Sequence, residues 1–140
     1  MIVDTIFQWC NNINQMRLFY SDILGAEETF YRDDSEHGWL TYQLADLQLV
    51  FIRSDEPLPI AGDFAINPAH QDGTRIAASW VLKMGEEKFR AAIHRLQQAG
   101  IASTTAEPYS NRPGHLQYIV LDPMGLTLEL FTVIGDEAGD

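Results

Sequence analysis

The feature that most constrains the fold is a pattern that occurs twice: a strand-like run, then an amphipathic helix, then a glycine. In the first copy, Asn14 can cap a helix that ends at Gly25. In the second copy, Glu86 and Glu87 suit the positive N-terminal end of a helix that ends at Gly100. Each helix needs a sheet to cover its apolar face. The apolar residues are Met16, Phe19, Tyr20, Ile23 and Leu24 in the first helix, and Phe89, Ala92, Ile93 and Leu96 in the second.

Runs rich in β-branched and aromatic residues surround both helices and predict strands. The predicted strands are residues 5–10, 28–32, 39–44, 47–53, 76–83, 117–121 and 126–131. Each half therefore has the order strand, helix, and two or three strands joined by short turns. This order predicts an α+β domain built from two similar modules.

We predict one domain over residues 1–140, with module 1 at about residues 1–54 and module 2 at about residues 74–134. Residues 55–73 are rich in proline and glycine and predict a linker or long loop. A loop of this length inside a compact domain can line or cover a pocket, and it can also be a plain surface connector. The acidic tail at residues 135–140 is expected to fray.

Size, charge and cysteine content limit the possible functions. The chain has 140 residues, 46% of them hydrophobic, which is enough for a sizeable core. Nine basic against twenty acidic residues give a net charge of −11, which opposes binding to nucleic acid or to an anionic membrane. We expect a cytoplasmic protein, because no apolar run is long enough to span a membrane and the N-terminus does not resemble a secretory signal. The single cysteine, Cys10, excludes an internal disulfide and is expected to be buried and inert.

Two segments carry a family resemblance. Residues 12–25 contain a Phe-Tyr pair followed by Leu-Gly, and residues 121–131 contain an Asp-Pro-x-Gly turn before a strand that carries Glu129. Their order and the duplication resemble the glyoxalase, bleomycin-resistance and extradiol dioxygenase group, the vicinal oxygen chelate superfamily. The resemblance implies two βαβββ modules that pair curved mixed sheets around a cleft.

The resemblance also implies a metal held by His and carboxylate side chains on the first and last strands of each module. At those positions this chain has, in order, Thr5, Val50 or Gln48, Ala78 or Ser79, and Glu129. The histidines, His37, His70, His94 and His115, lie elsewhere. One carboxylate is too few for a divalent transition metal, so no cofactor is expected. A divalent metal stays possible, with Glu129 as the one matching ligand.

Without a metal, the predicted site consists of aromatic side chains and one acid. Alternation along the first strand places Thr5, Phe7 and Trp9 on the cleft side. Glu129 is the catalytic candidate, as a general base, although it can also anchor an amine or lie at a solvated rim. A carboxylate in an apolar cleft should have a raised pKa or a paired donor. The predicted ligand-binding residues are Thr5, Phe7, Trp9, Trp80, His115, Tyr118 and Glu129.

Three functions fit these features. The favoured one is a metal-independent protein that binds a small molecule and sequesters a cationic or aromatic compound, as antibiotic-resistance members of the superfamily do. The second is a lyase, isomerase or dioxygenase of the same superfamily that uses Glu129. The third is a structural or regulatory subunit. The resemblance, and the frequency of symmetric dimers, also lead us to expect a homodimer.

Overall fold

The computed structural model describes residues 1–137. The chain divides into two compact units, Met1–Pro59 and Ile60–Asp140. The boundary lies inside the predicted linker, because the chain from Ile60 onward packs with the second unit. Each unit has one sheet and a helical segment after its first strand, which confirms the predicted α+β fold class.

The first unit is a four-stranded sheet with one helical segment. Its elements are β1 (Thr5–Cys10), α1 (Ile13–Arg17) with a π-helical continuation (Leu18–Ile23), β2 (Glu28–Asp33), β3 (Gly38–Leu44) and β4 (Leu47–Arg53). The strand order is β1-β4-β3-β2, with β1 parallel to β4 and the other pairs antiparallel. All four strands predicted for this half are present.

The first helix begins earlier than predicted. Asn12, and not Asn14, is the N-cap: its side-chain oxygen accepts a hydrogen bond from the backbone N of Gln15 at 3.0 Å. Asn12 can do this because its backbone is extended, whereas Asn14 is already helical and accepts a hydrogen bond from the Tyr31 hydroxyl. The segment stops at Gly25 as predicted, with a φ of 77°.

The π-helical continuation brings two adjacent aromatic residues into the core of the first unit. The backbone N of Leu24 donates to the carbonyl O of Phe19, five residues earlier, at 3.0 Å. Phe19 and Tyr20 are both buried, and the Tyr20 ring lies 4.7 Å from that of Phe51 and 5.7 Å from that of Tyr42. The core therefore lies between the helical segment and the sheet face that carries Tyr42 and Phe51.

A polar network ties this helical segment to the sheet. Arg17 donates two hydrogen bonds of 2.9 Å to the Glu28 carboxylate, which also accepts one from the Ser21 hydroxyl. Ser21 is in turn 2.6 Å from the Tyr42 hydroxyl. The hydrogen bond from Arg17 lowers the pKa of Glu28 below its ordinary value of 4.5, against the opposing effect of burial, and Ser21 lowers it further.

This lowered pKa predicts an acid-dependent loss of stability. The unfolded chain binds the Glu28 proton more tightly, so the stabilisation is complete above the ordinary pKa and is lost as pH falls through the lowered one. Urea unfolding between about pH 5 and pH 3 should show a smaller loss of stability in Glu28→Gln than in the parent. Glu27→Gln, an exposed neighbour, is the control. Equal pH dependence of Glu28→Gln and the parent would contradict the assignment.

The second unit is a three-stranded sheet with one long helix. Its elements are β5 (Ser79–Lys83), α2 (Glu86–Gln98), β6 (His115–Leu121) and β7 (Thr127–Val133). The strand order is β5-β7-β6, with β5 parallel to β7 and β6 antiparallel to it. The segment where a further strand would complete βαβββ pairs with β6 in two isolated bridges, Ser103 to Val120 and Tyr109 to Gln117, and is not a continuous strand.

The long helix packs its apolar stripe on one face of this sheet. Glu86 and Glu87 lie in its first turn, as predicted, and Gly100 follows it with a φ of 69°. Leu128 and Leu130 of β7 are buried on the same side. The buried helix residues are Phe89, Ala92, Ile93 and Leu96, the four predicted from spacing.

Residues 60–75, which we call the strap, lie over the opposite face of the second sheet. The backbone N of Ala65 donates to the Thr127 hydroxyl at 2.7 Å, and Asn67 donates to the Ser79 hydroxyl at 3.2 Å. Further along, the Tyr109 hydroxyl donates to the carbonyl O of Ala69 at 2.9 Å. Most of the predicted linker is therefore packed against the beginning of β5 and β7 on this side of the sheet.

Two residues near the end of the chain, Gly135 and Asp136, contact the second unit. The backbone N of Gly135 donates to Glu86, and Lys83 forms a 2.9 Å ion pair with Asp136. Residues 138–140 of the predicted acidic tail lie outside the described residues. Cys10 is buried, as predicted. Over residues 1–137, the structure contains no helix with the length and apolar character needed to cross a membrane.

Candidate functional site

Four aromatic side chains occupy the face of the first sheet that points away from its helix. Trp9 on β1 and Trp39 on β3 both pair in register with Ile52. Phe7 lies two residues before Trp9 on β1 and therefore on the same face. Because side chains in register share a face, these rings lie together. Phe30 joins them from β2. We call Phe7, Trp9, Phe30 and Trp39 the aromatic face.

The aromatic face is unusually open to solvent. Phe7, Trp9 and Phe30 are 57%, 58% and 51% exposed, although rings of this size are normally buried. Phe7 and Trp39 meet edge to face with centroids 6.1 Å apart, and the Trp39 ring nitrogen donates to Thr41 at 3.1 Å. This hydrogen bond fixes the indole orientation.

An open pocket of 340 Å³ lies at one end of the aromatic face. Phe30, Arg32, His37 and Trp39 line it. Arg32 is held by a 2.6 Å ion pair with Asp34. The pocket therefore has two aromatic walls and a rim at which the charge of Arg32 is paired with that of Asp34.

Thr5, Phe7 and Trp9 share one face of β1, as alternation predicted. Their partners on β4 are Gln48, Val50 and Ile52. Thr5 lies at the start of the strand and donates a hydrogen bond of 2.8 Å to Asp4. The structure thus brings these three predicted residues together and adds Phe30 and Trp39. Sequence reasoning missed those two because cross-strand register, and not spacing along the chain, brings them to the face.

In the second unit, Glu129 lies on the sheet face that the strap partly covers. It pairs with Val81 of β5 and Ile119 of β6. Burial raises the pKa of Glu129, and the positive charge of Arg112 opposes that rise. Its carboxylate accepts no hydrogen bond from any side chain or backbone group of residues 1–137. Glu129 therefore stays a candidate site residue.

His115, also a predicted site residue, lies on the same face as Glu129. Its ring stacks on Phe131 at 5.2 Å with an interplanar angle of 14°, and the Arg112 guanidinium lies 5.8 Å from the Phe131 centroid. Gln117 follows two residues after His115 and pairs with Phe131. The sequence analysis missed Arg112 and Gln117, although alternation from His115 would have placed Gln117 on this face.

Two side-chain nitrogens on this face are buried without a hydrogen-bond partner in the described part of the chain. They are Nδ1 of His115 and Nε2 of Gln117, and Gln117 is only 3% exposed. Buried polar groups are nearly always paired, so each such group requires an explanation. Their shared position beside Phe131 marks this face as a second candidate for ligand contact.

Trp80 and Tyr118 do not join either group. Trp80 pairs with Leu128 and Tyr118 pairs with Leu130, so both point to the side of the sheet covered by α2. Tyr118 is buried, and its hydroxyl donates to Ser103 at 3.0 Å. Both were predicted to bind ligand, but the register puts them on the face opposite to Glu129.

Comparisons with known proteins identify the fold but no near relative. No protein-family model and no curated protein matches the sequence. Among solved structures, the oxidase ChaP-H1 aligns with a TM-score of 0.68 and 17% identity over 97% of this chain and 99% of that protein. The chain has the vicinal oxygen chelate fold.

Two further structures with the vicinal oxygen chelate fold have different described activities. The fosfomycin resistance protein FosX from Listeria monocytogenes aligns with a TM-score of 0.63 and 14% identity, over 94% of this chain and 93% of that one. Lactoylglutathione lyase from Agrobacterium tumefaciens aligns with a TM-score of 0.58 and 14% identity, over 94% of this chain and 92% of that one. The fold inferred from the motif order is confirmed. Sequence identity this low does not show that this chain has the activity of either protein.

The metal implied by the vicinal oxygen chelate resemblance does not fit the residues present. Thr5, Gln48 and Val50 share one face of the first sheet, and Ser79 and Glu129 share one face of the second. Glu129 is the only one of these with a carboxylate or imidazole. Within residues 1–137, no three His, Cys, Asp or Glu side chains come close enough to hold a metal ion. We therefore derive no chemistry through a metal.

Proposed function

We propose that this chain is a metal-independent binding protein for a flat aromatic molecule, and that the aromatic face is its recognition surface. The observation that carries the proposal is the exposure of Phe7, Trp9 and Phe30, each more than half accessible on one sheet. Contiguous exposed apolar surface on a folded protein is typical of binding sites. Aromatic rings supply a large contact area at low cost in conformational entropy.

The negative net charge of the chain favours aromatic ligands that are cationic. The chain carries a net charge of −11, which attracts cations from solution. Ring faces also attract a cation electrostatically. The pocket at Phe30 and Trp39 has a volume of 340 Å³, within the usual range of about 300–1,000 Å³ for small-ligand sites. One fold neighbour is described as a fosfomycin resistance protein, which agrees with a proposed role in resistance to a toxic compound.

The proposal is tested by tryptophan fluorescence during titration with flat aromatic cations and their neutral analogues. We expect saturable quenching, and Trp9→Ala should weaken binding by about 30-fold, the effect of losing a central aromatic contact. Trp80→Phe is the matched control, because Trp80 points to the other side of the second sheet. The proposal fails if no compound quenches saturably, or if Trp9→Ala binds as tightly as the parent.

A second candidate function, an enzyme of lyase or isomerase type, rests on Glu129. A partly buried carboxyl with a raised pKa and no hydrogen-bond donor among the described residues can act as a general acid or base. We propose incubation with fosfomycin and with S-lactoylglutathione, followed by product analysis. If either compound is turned over, Glu129→Gln should lower the rate by about 100-fold or more. Unchanged activity of Glu129→Gln would exclude this carboxyl as the acid or base.

A further inference from the structure

The sheet face around Phe131 gathers three side chains that can donate hydrogen bonds. The Arg112 guanidinium lies 5.8 Å from the Phe131 ring centroid, His115 stacks on the same ring at 5.2 Å, and Gln117 pairs with Phe131 across β6 and β7. All three side chains are therefore neighbours of one ring on this face. Arg112 forms no ion pair with any acid of residues 1–137.

Two of these side chains have a buried nitrogen that makes no hydrogen bond in the described part of the chain. Nε2 of Gln117 and Nδ1 of His115 have no partner in the described chain, and the Gln117 side chain is almost completely enclosed. The fold keeps Gln117 in place through two backbone hydrogen bonds with Tyr109, whose hydroxyl in turn contacts the strap. Since an unmet buried donor is costly, a bound group with acceptor atoms would stabilise this arrangement.

We propose that Arg112, His115 and Gln117 form a binding site for the oxyanion group of a small molecule, a carboxylate, phosphate or phosphonate. Such groups are pure acceptors with several oxygens, and they pair best with guanidinium and N–H donors at close range. Arg112 would repel a cationic group, and a neutral acceptor would leave its charge unpaired. This proposal goes beyond the aromatic face and does not depend on it, because every residue involved belongs to the second unit.

The other charged groups on this face are compatible with an oxyanion. Lys83 of β5 pairs in register with Phe131 and adds positive charge, although its ammonium is bound to Asp136. Glu129 is the one acid of the sheet face. Burial raises the pKa of Glu129, and the positive charge of Arg112, which opposes that rise, also offsets negative charge on Glu129.

The test is nitrogen-detected NMR of the full chain during titration with sodium phosphate, methylphosphonate and acetate, against sodium chloride at equal ionic strength. We expect saturable shifts of the Gln117 side-chain amide and the His115 ring nitrogens with at least one oxyanion and not with chloride. Comparing the three anions shows which group the site prefers. No saturable shift with any of them, or an equal shift with chloride, would overturn the proposal.

Two arginine variants distinguish specific binding at this site from a general effect of charge. Arg112→Ala should weaken oxyanion binding about tenfold or more, and the exposed position of Arg112 means that the fold should survive. Arg90→Ala removes the same charge from the exposed side of α2 and should leave binding unchanged. Gln117→Leu keeps the volume and removes the amide, and it should abolish the saturable shift at His115. Equal weakening by Arg90→Ala and Arg112→Ala would show a nonspecific charge effect and overturn the site.

Discussion

Replacing Phe89 by alanine is expected to lower the free energy of unfolding by about 3–5 kcal/mol, the usual cost of deleting a buried phenylalanine ring. Phe89 is 0% exposed on the inner face of α2, which packs against β7. The loss has two parts: the transfer free energy of the ring, and the cavity that remains where the surrounding strands cannot collapse. Because small domains are stable by only about 5–15 kcal/mol, urea unfolding at 25 °C should show a large shift of the midpoint.

His94→Ala is the matched control for this prediction. His94 lies on the same helix, five residues further on, but is exposed to solvent. Its substitution should change stability by no more than about 0.5 kcal/mol. A cost below about 1 kcal/mol for Phe89→Ala would contradict a well-packed core beneath α2.

Gly125→Ala is expected to dislodge the beginning of the strap and to destabilise the second unit. Gly125 has a φ of 77°, a left-handed conformation that costs a residue with a Cβ about 1–2 kcal/mol. In addition, a Cβ built there would lie 1.9 Å from the carbonyl O of Ala61, so backbone must move. We therefore expect a lower urea midpoint and faster hydrogen exchange at the Ala65 amide, which is buried in its bond to Thr127.

Gly62→Ala is the control in the same segment. A Cβ at Gly62 meets nothing within 4 Å, so stability should stay within about 0.5 kcal/mol of the parent. If Gly125→Ala unfolds at the parent midpoint with unchanged exchange at Ala65, the strap does not depend on this close approach.

The candidate sites were predictable wherever local geometry decides which way a side chain points. Alternation along β1 was sufficient to place Phe7 and Trp9 on one face, and the four buried residues of α2 followed from helical spacing. The prediction was wrong for Trp80 and Tyr118. Both are aromatic residues on predicted strands, but which face they occupy depends on their pairing with β7.

Other features depend on residues far apart in the chain. Phe30 reaches the aromatic face because β2 pairs with β3 in the register that sets Phe30 opposite Thr41 and Arg32 opposite Trp39. Likewise, proline and glycine content showed that residues 55–73 are a loop but not which surface they cover. The helix cap was predicted at Asn14 but lies at Asn12. Either asparagine can cap a helix, and Asn12 does so because its backbone is extended.

The sequence by itself determined the duplicated order of strands and helices, the apolar faces of the helices and the shortage of metal-binding side chains. These properties follow from residue spacing and residue type, which act over a few positions of the chain. The tertiary structure alone decided that four aromatic rings share one open sheet face and that Arg112, His115 and Gln117 surround Phe131. Strand register sets those neighbours, and register results from packing and hydrogen bonding between segments distant in sequence.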